Sequence, residues 1–168
     1  MAIQNPKELF VTLLSNVRQH EERATKIYQQ LSEAAKDTEI QEALESRVFL
    51  EGKILNTIDQ CFKLIGEKPV QINERFHDIL IEDFQRELAE IKSPAAKVLF
   101  IAVKANHLMH FRMAEYMALV AMSDVSERYD VGVLLESCLA DKLSFVERTR
   151  RLIKERVKGK ILEMRKAA

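Results

Sequence analysis

Apolar residues recur at three- and four-residue spacing over most of this chain, the period of helices with one buried face. The first stripe reads Phe10, Leu13, Val17, then Glu21, then Ala24, Tyr28 and Leu31. The second reads Leu44, Val48, Glu51, Leu55, Ile58 and Phe62. A third runs Ala105, Met109, Arg112, Tyr116, and the last runs Leu134, Cys138, Asp141, Phe145, Leu152. Each stripe therefore carries a charged residue where an apolar one is expected. Mid-helix charges facing a core are costly unless an ion of opposite sign compensates them. No alternating apolar–polar run suggests a strand.

The helix boundaries are marked by their own chemistry. Asn5, Pro6 and Glu8 supply an N-cap, a first-turn proline and a capping-box acid, and the period they open runs to about Ala35. Asp37-Thr38 breaks it, and Thr38 with Gln41 can cap a second helix that ends at Gly66, ahead of Pro69. A short helix is expected over 73–91. Ser93-Pro94 starts the next, to about Met122, and Asp124 with Glu127 can cap a last helix that runs to Val157. Gly132 marks either a later start or a kink. Four long helices with short connections pack as an all-α antiparallel bundle, and the short extra helix between the second and third long ones offers a crossover. The expected organisation is one domain over 1–168, with a bundle core at 6–157 and a basic C-terminal tail at 158–168.

Composition narrows the function classes. Lys plus Arg and Asp plus Glu balance at 26 each, so no global field draws the protein to nucleic acid. No run approaches the roughly 20 apolar residues of a membrane span. The start, MAIQNPKELF, lacks the pattern of a signal peptide, which makes the cytoplasm the expected compartment. Cys61 and Cys138 have no CxxC or zinc spacing and read as reduced core thiols, with a disulfide as the alternative.

Several stretches resemble the YciE/YciF-type ferritin-like stress-protein family. They are Leu13-Leu14-Ser15, the acid at Glu21, Leu64-Ile65-Gly66-Glu67-Lys68-Pro69, His110-Phe111 with Ala114 and Tyr116, and Leu134-Leu135 with Leu139 and Asp141. The likeness covers residues 6 to 155. It implies a ferritin-like four-helix bundle, often dimeric, linked to bacterial stress responses. The departures concern the ligands. Where the family has Glu-Glu-Thr followed by His or Glu, this chain has Phe49, Leu50, Glu51 and Gly52. Where the family has Glu-His-Tyr-Glu, it has Met109, His110, Phe111 and Arg112. Where the family has a run of acids, it has Ala140, Asp141 and Lys142.

A di-iron centre draws acids from four helices and a Glu-x-x-His pair from two of them, and no such pair occurs in the four expected long helices. No metal or other cofactor is therefore expected. Any ion would have to use Glu21, Glu51, His110 and Asp141. Arg112 stands where the family has a carboxylate. Its guanidinium can replace the metal by pairing with Glu21, Asp141 or Glu51, or it can snorkel to a helix edge. Arg47 lies near the second stripe. His107 and His110 stand three apart and read as surface or core-edge residues, His20 is expected to face outward, and His77 has no partner at metal spacing. Met109, Met113, Met117 and Met122 read as adaptable core or interface filling. The outer face carrying Phe111, Ala118 and Val120 suggests a homodimer.

Basic residues crowd the segment from Arg148 to Lys166. They either complement the helix dipole or meet an acidic partner, a membrane surface or nucleic acid. Without interleaved aromatics, specific nucleic-acid binding is not expected. No nucleophile constellation or phosphate loop points to an enzyme. The expectation is a stress-associated structural or interaction protein with a degenerate carboxylate site. The alternatives are an iron- or manganese-dependent oxidase or iron-handling protein with a reduced ligand set, and an adaptor that docks acidic partners.

Overall fold

The computed structural model of the chain describes residues 3–73 and 75–167, with side chains as far as Gly159 apart from that of His77. Its helices are α1 (Pro6–Ala34), α2 (Thr38–Ile65), α3 (Phe76–Glu90), α4 (Pro94–Val125) and α5 (Tyr129–Ala167); the described residues contain no strand. The caps are largely those the sequence marks. Asn5 Oδ1 accepts from the Glu8 N–H at 2.9 Å, and Ser93 accepts from the Ala96 N–H at 3.4 Å. Gly66 closes α2 with φ 70°, in the left-handed region that glycine adopts without a Cβ penalty.

Three boundaries differ from expectation. Asp37, rather than Thr38, caps α2 by accepting from Ile40 N at 3.3 Å. α4 runs through Asp124 to Val125, so Asp124 and Glu127 do not cap the last helix. The turn that follows has Glu127 at φ 56°. α5 does not stop at Val157 and continues to Ala167. Gly132 is not the start, since α5 begins at Tyr129. A Cβ there would meet the Ser123 and Asp124 side chains at 3.5 Å, ordinary van der Waals contact, so the end of α4 passes near α5 without requiring glycine.

The four long helices form a closed ring in which α1 packs on α2, α2 on α5, α5 on α4, and α4 on α1. Neighbours run antiparallel. Arg128 of the turn before α5 reaches the Leu64 carbonyl near the end of α2, while Arg156 reaches Asp37 at the start of α2. Because α2 and α4 run the same way, their connection must climb the length of the bundle. α3 is part of that crossover and lies on the α1/α4 side. It is held there by Phe76 stacked on Phe111 at 4.2 Å, Phe84 stacked on Phe100 at 5.7 Å and an Arg23–Asp78 ion pair.

The core is divided into two apolar clusters. One holds Tyr28, Leu31, Leu44, Ile101, Leu108, Met109 and Phe145. The other holds Leu14, Val17, Ile54, Ile58, Tyr116, Leu135 and Cys138. Along every long helix a charged residue stands between the two. Replacing Gly66 by Ala leaves the packing untouched, since no atom lies within 4 Å of the added Cβ, but it strains the backbone. Chemical denaturation of Gly66→Ala is expected to show a loss of about 1 kcal/mol.

Candidate functional site

The layer between the clusters is made of Glu21 on α1, Arg47 and Glu51 on α2, Arg112 on α4 and Lys142 on α5, all buried. Each lies three or four positions from core neighbours on its own helix, a spacing that lets its side chain face inward. Lys142 Nζ lies 2.7 Å from Glu21 Oε1, and Arg112 Nη2 lies 3.3 Å from the same oxygen. The same guanidinium nitrogen also donates to the Val17 carbonyl at 3.0 Å. Arg47 Nε donates to Glu51 Oε1 at 2.6 Å, one turn apart on one helix. The Lys142 ammonium stands over the Tyr116 ring at 4.8 Å. From Arg112 the network extends outward, with Nη1 2.7 Å from Glu115 Oε2 and the other Glu115 oxygen 2.7 Å from His20 Nδ1.

These contacts set the protonation states. Burial alone would raise the Glu21 carboxyl, yet the Lys142 and Arg112 charges hold it well below the usual carboxylate range. Glu51 is pushed up to about 8, first by burial and then by the negative charge of Glu21 and a hydrogen bond between the two carboxyls. Burial lowers Lys142, against the pull of Glu21. Two carboxyls side by side thus separate into one ionised and one proton-holding group. The layer is imperfectly satisfied. Both terminal nitrogens of Arg47 and the hydroxyl of Tyr28 are buried with no hydrogen-bond partner among the described residues.

The sequence-derived site residues divide in two. Glu21, Glu51 and Arg112 come together in the layer, with Arg112 beside Glu21 instead of at a helix edge. Asp141 and His110 do not join them. Asp141 is exposed, because the buried face of α5 is Val131, Leu135, Cys138, Lys142, Phe145 and Thr149. The sequence stripe was therefore one position out at this turn, and Lys142 fills the core position assigned to the acid. Spacing alone did not decide, for Lys142 lies four after Cys138 and three before Phe145 while Asp141 lies three after and four before. His110 is exposed on the outer face of α4 and its ring lies 2.9 Å from the Asn106 carbonyl; His107 is exposed too. His20 is buried, not outward, and pairs with Glu115. The His77 side chain lies outside the described residues. Cys61 and Cys138 are free and buried, and burial raises their thiols to about 12 and about 11.

These donors do not fit a carboxylate metal centre. Two carboxylates and no imidazole reach the middle of the bundle, and three cations already lie against them. Among the described residues no group of three or more His, Cys, Asp or Glu is arranged to hold a metal ion.

Two predictions test the electrostatics. Removing one partner strands a buried charge, so Lys142→Met should lower stability by about 3–5 kcal/mol. Adding Glu21→Gln should restore most of that loss, as read from denaturation midpoints of the single and double variants. For Glu51, the folded protein holds a proton that the unfolded chain releases between its ordinary value of 4.5 and about 8. The stability Glu51 contributes is therefore full below 4.5 and is lost as pH rises through about 8. Glu51→Gln should flatten the decline in stability over that window, measured by denaturant unfolding at successive pH values.

Comparison with known proteins agrees with the architecture. The fold is similar to that of YcfI from Rhodopseudomonas palustris, at 24% identity over 88% of this chain and 94% of that one, with a TM-score of 0.83. It is also similar to the E. coli stress protein YciF, at 18% identity over 93% and 99% of the two chains and a TM-score of 0.86. A third likeness is to a ferritin-like, diiron-carboxylate protein from Bacillus anthracis str. Ames, at 15% identity over 90% and 99% and a TM-score of 0.69. No curated protein matches the chain in sequence. The family described as a domain of unknown function, DUF892, matches residues 5–161. These neighbours share a ferritin-like helical fold, and by the match over residues 5–161 the chain belongs to the DUF892 family.

Proposed function

We propose that this protein is a stress-response-associated structural or interaction protein, built as one ferritin-like domain whose carboxylate centre is closed by its own cations. The observation that carries the reading is Lys142 Nζ at 2.7 Å from Glu21 Oε1, with Arg112 reinforcing it from α4. A divalent ion bound to that oxygen would stand against an ammonium and a guanidinium in a low-dielectric core, where like charges repel strongly. The position where a bundle metal enzyme gathers its ligands is here devoted to charge neutralisation. The stress association rests on the resemblance to the YciE/YciF family and on the likeness to YciF, itself a stress protein.

A homodimer suits this role. Met117 is 59% exposed on α4, with Ala114, Ala118 and Ala121 also exposed on that helix. Two free buried thiols fit a reducing compartment such as the cytoplasm.

The second reading is an iron- or manganese-dependent oxidase using Glu21, Glu51, His110 and Asp141. It would require His110 and Asp141, both exposed, to turn inward. Metal analysis separates the two. Protein purified from cells grown with excess iron and manganese is expected to carry neither metal in stoichiometric amount. Arg112→Glu, which exchanges a cation for a ligand, is expected to lose stability and gain affinity for iron or manganese. Stoichiometric iron or manganese in the unmodified protein, with oxygen consumption to match, would overturn the proposal.

A further inference from the structure

The balanced total charge conceals a segregated one. From Arg148 to the end of the sequence there are nine Lys and Arg against two Glu, so the rest of the chain carries the compensating acidic excess. These cations lie on the last turns of α5, the helix that outruns its partners. α2 and α4 have 28 and 32 residues, while α5 has 39. The Arg156–Asp37 pair at 2.6 Å marks where α5 passes the beginning of α2, and the helix continues for eleven residues beyond Arg156. Every residue from Lys154 to Gly159 is exposed, so this part of α5 has no buried face left against the bundle. Arg148, Arg151, Lys154 and Lys158 are exposed, and among the described residues none of them forms an ion pair.

The same stretch keeps a helical apolar period after the bundle has ended. In the sequence Val157, Ile161 and Met164 follow one another at spacings of four and three, the period of an amphipathic helix. Val157 is 40% exposed. An apolar stripe flanked by lysine and arginine is the pattern of a helix that lies in the plane of an anionic membrane surface, with cations at the headgroups and apolar residues at the acyl boundary. A nucleic-acid backbone would use the cations but not the stripe. Base stacking would need aromatic rings, and none occurs after Phe145.

We propose that the end of α5, from about Lys154 onward, docks the protein on an anionic lipid bilayer as a surface contact that does not span it. No helix among the described residues is long and apolar enough to cross a membrane, so the contact is peripheral and reversible. It is independent of the charged layer and of any metal.

The test is co-sedimentation of the full chain with vesicles of phosphatidylcholine containing about one-third phosphatidylglycerol, against pure phosphatidylcholine. Binding is expected only to the anionic vesicles, weakening more than about tenfold when Lys154, Lys158 and Lys160 are changed to Glu. Ile161→Ser, which leaves the charge intact, should also weaken it several-fold. Circular dichroism and thermal melting of both variants check that the bundle is unchanged. Equal binding to both vesicle types, no binding to either, or binding indifferent to Ile161→Ser would sink the proposal. Salt-sensitive binding to duplex DNA without vesicle binding would overturn it in favour of a nucleic-acid contact.

Discussion

The ion pair between Glu21 and Lys142, 2.7 Å apart and closed off from solvent, is the constraint around which the bundle is arranged. An isolated buried carboxylate or ammonium carries a solvation penalty of several kcal/mol. Neither residue is tolerable without the other, and Glu21 is further held by Arg112 from α4. Because Glu21 and Lys142 lie on α1 and α5, which are opposite one another in the ring of helices, satisfying them fixes how the bundle closes across its middle. Arg47 and Glu51 satisfy one another within α2 and face the same layer.

The charged layer also fixes register. It separates two apolar clusters, with Val17 and Ala24, Ile54 and Leu44, Tyr116 and Met109, and Cys138 and Phe145 on its two sides. Sliding a helix by one turn would carry its charge about 5.4 Å into an apolar cluster and leave the opposing charge bare. A uniformly apolar stripe would not distinguish these registers so sharply. The same division explains why substituting both partners by well-packed apolar residues need not destabilise the fold, whereas removing one must.

The charge layer bears on chemistry as well. In a carboxylate bundle the ligands of four helices are held apart by mutual repulsion until metal neutralises them. Here Lys142 and Arg112 supply the neutralising charge permanently. Glu51 then holds a proton that its neighbour Glu21 does not. Some polar atoms of the layer, such as the terminal nitrogens of Arg47, have no hydrogen-bond partner among the described residues. Towards the far end of α5, cations are gathered by sequence position instead of by burial, and Arg148, Arg151, Lys154 and Lys158 are exposed.

The sequence by itself determined the helices, most of their caps, the crossover and the inward position of Glu21 and Glu51, while it left Arg112 between the core and a helix edge. Each of these follows from local rules: a three- and four-residue period, a side chain bonded to the first-turn amides, a glycine where φ must be positive. It did not determine which turn of α5 faces inward, because Asp141 and Lys142 both lie within one position of the stripe and a helix can rotate by part of a turn at small local cost. Only the tertiary structure decided between them. An acid there would have added a third carboxylate beside Glu21 and Glu51, whereas the ammonium answers the charge already buried. The same holds for His20, which the α1 pattern turned outward until Glu115 and the helix beneath it gave its ring a buried partner. Local periodicity says that a residue is near the core; electrostatic complementarity between helices far apart in the chain says which one enters it.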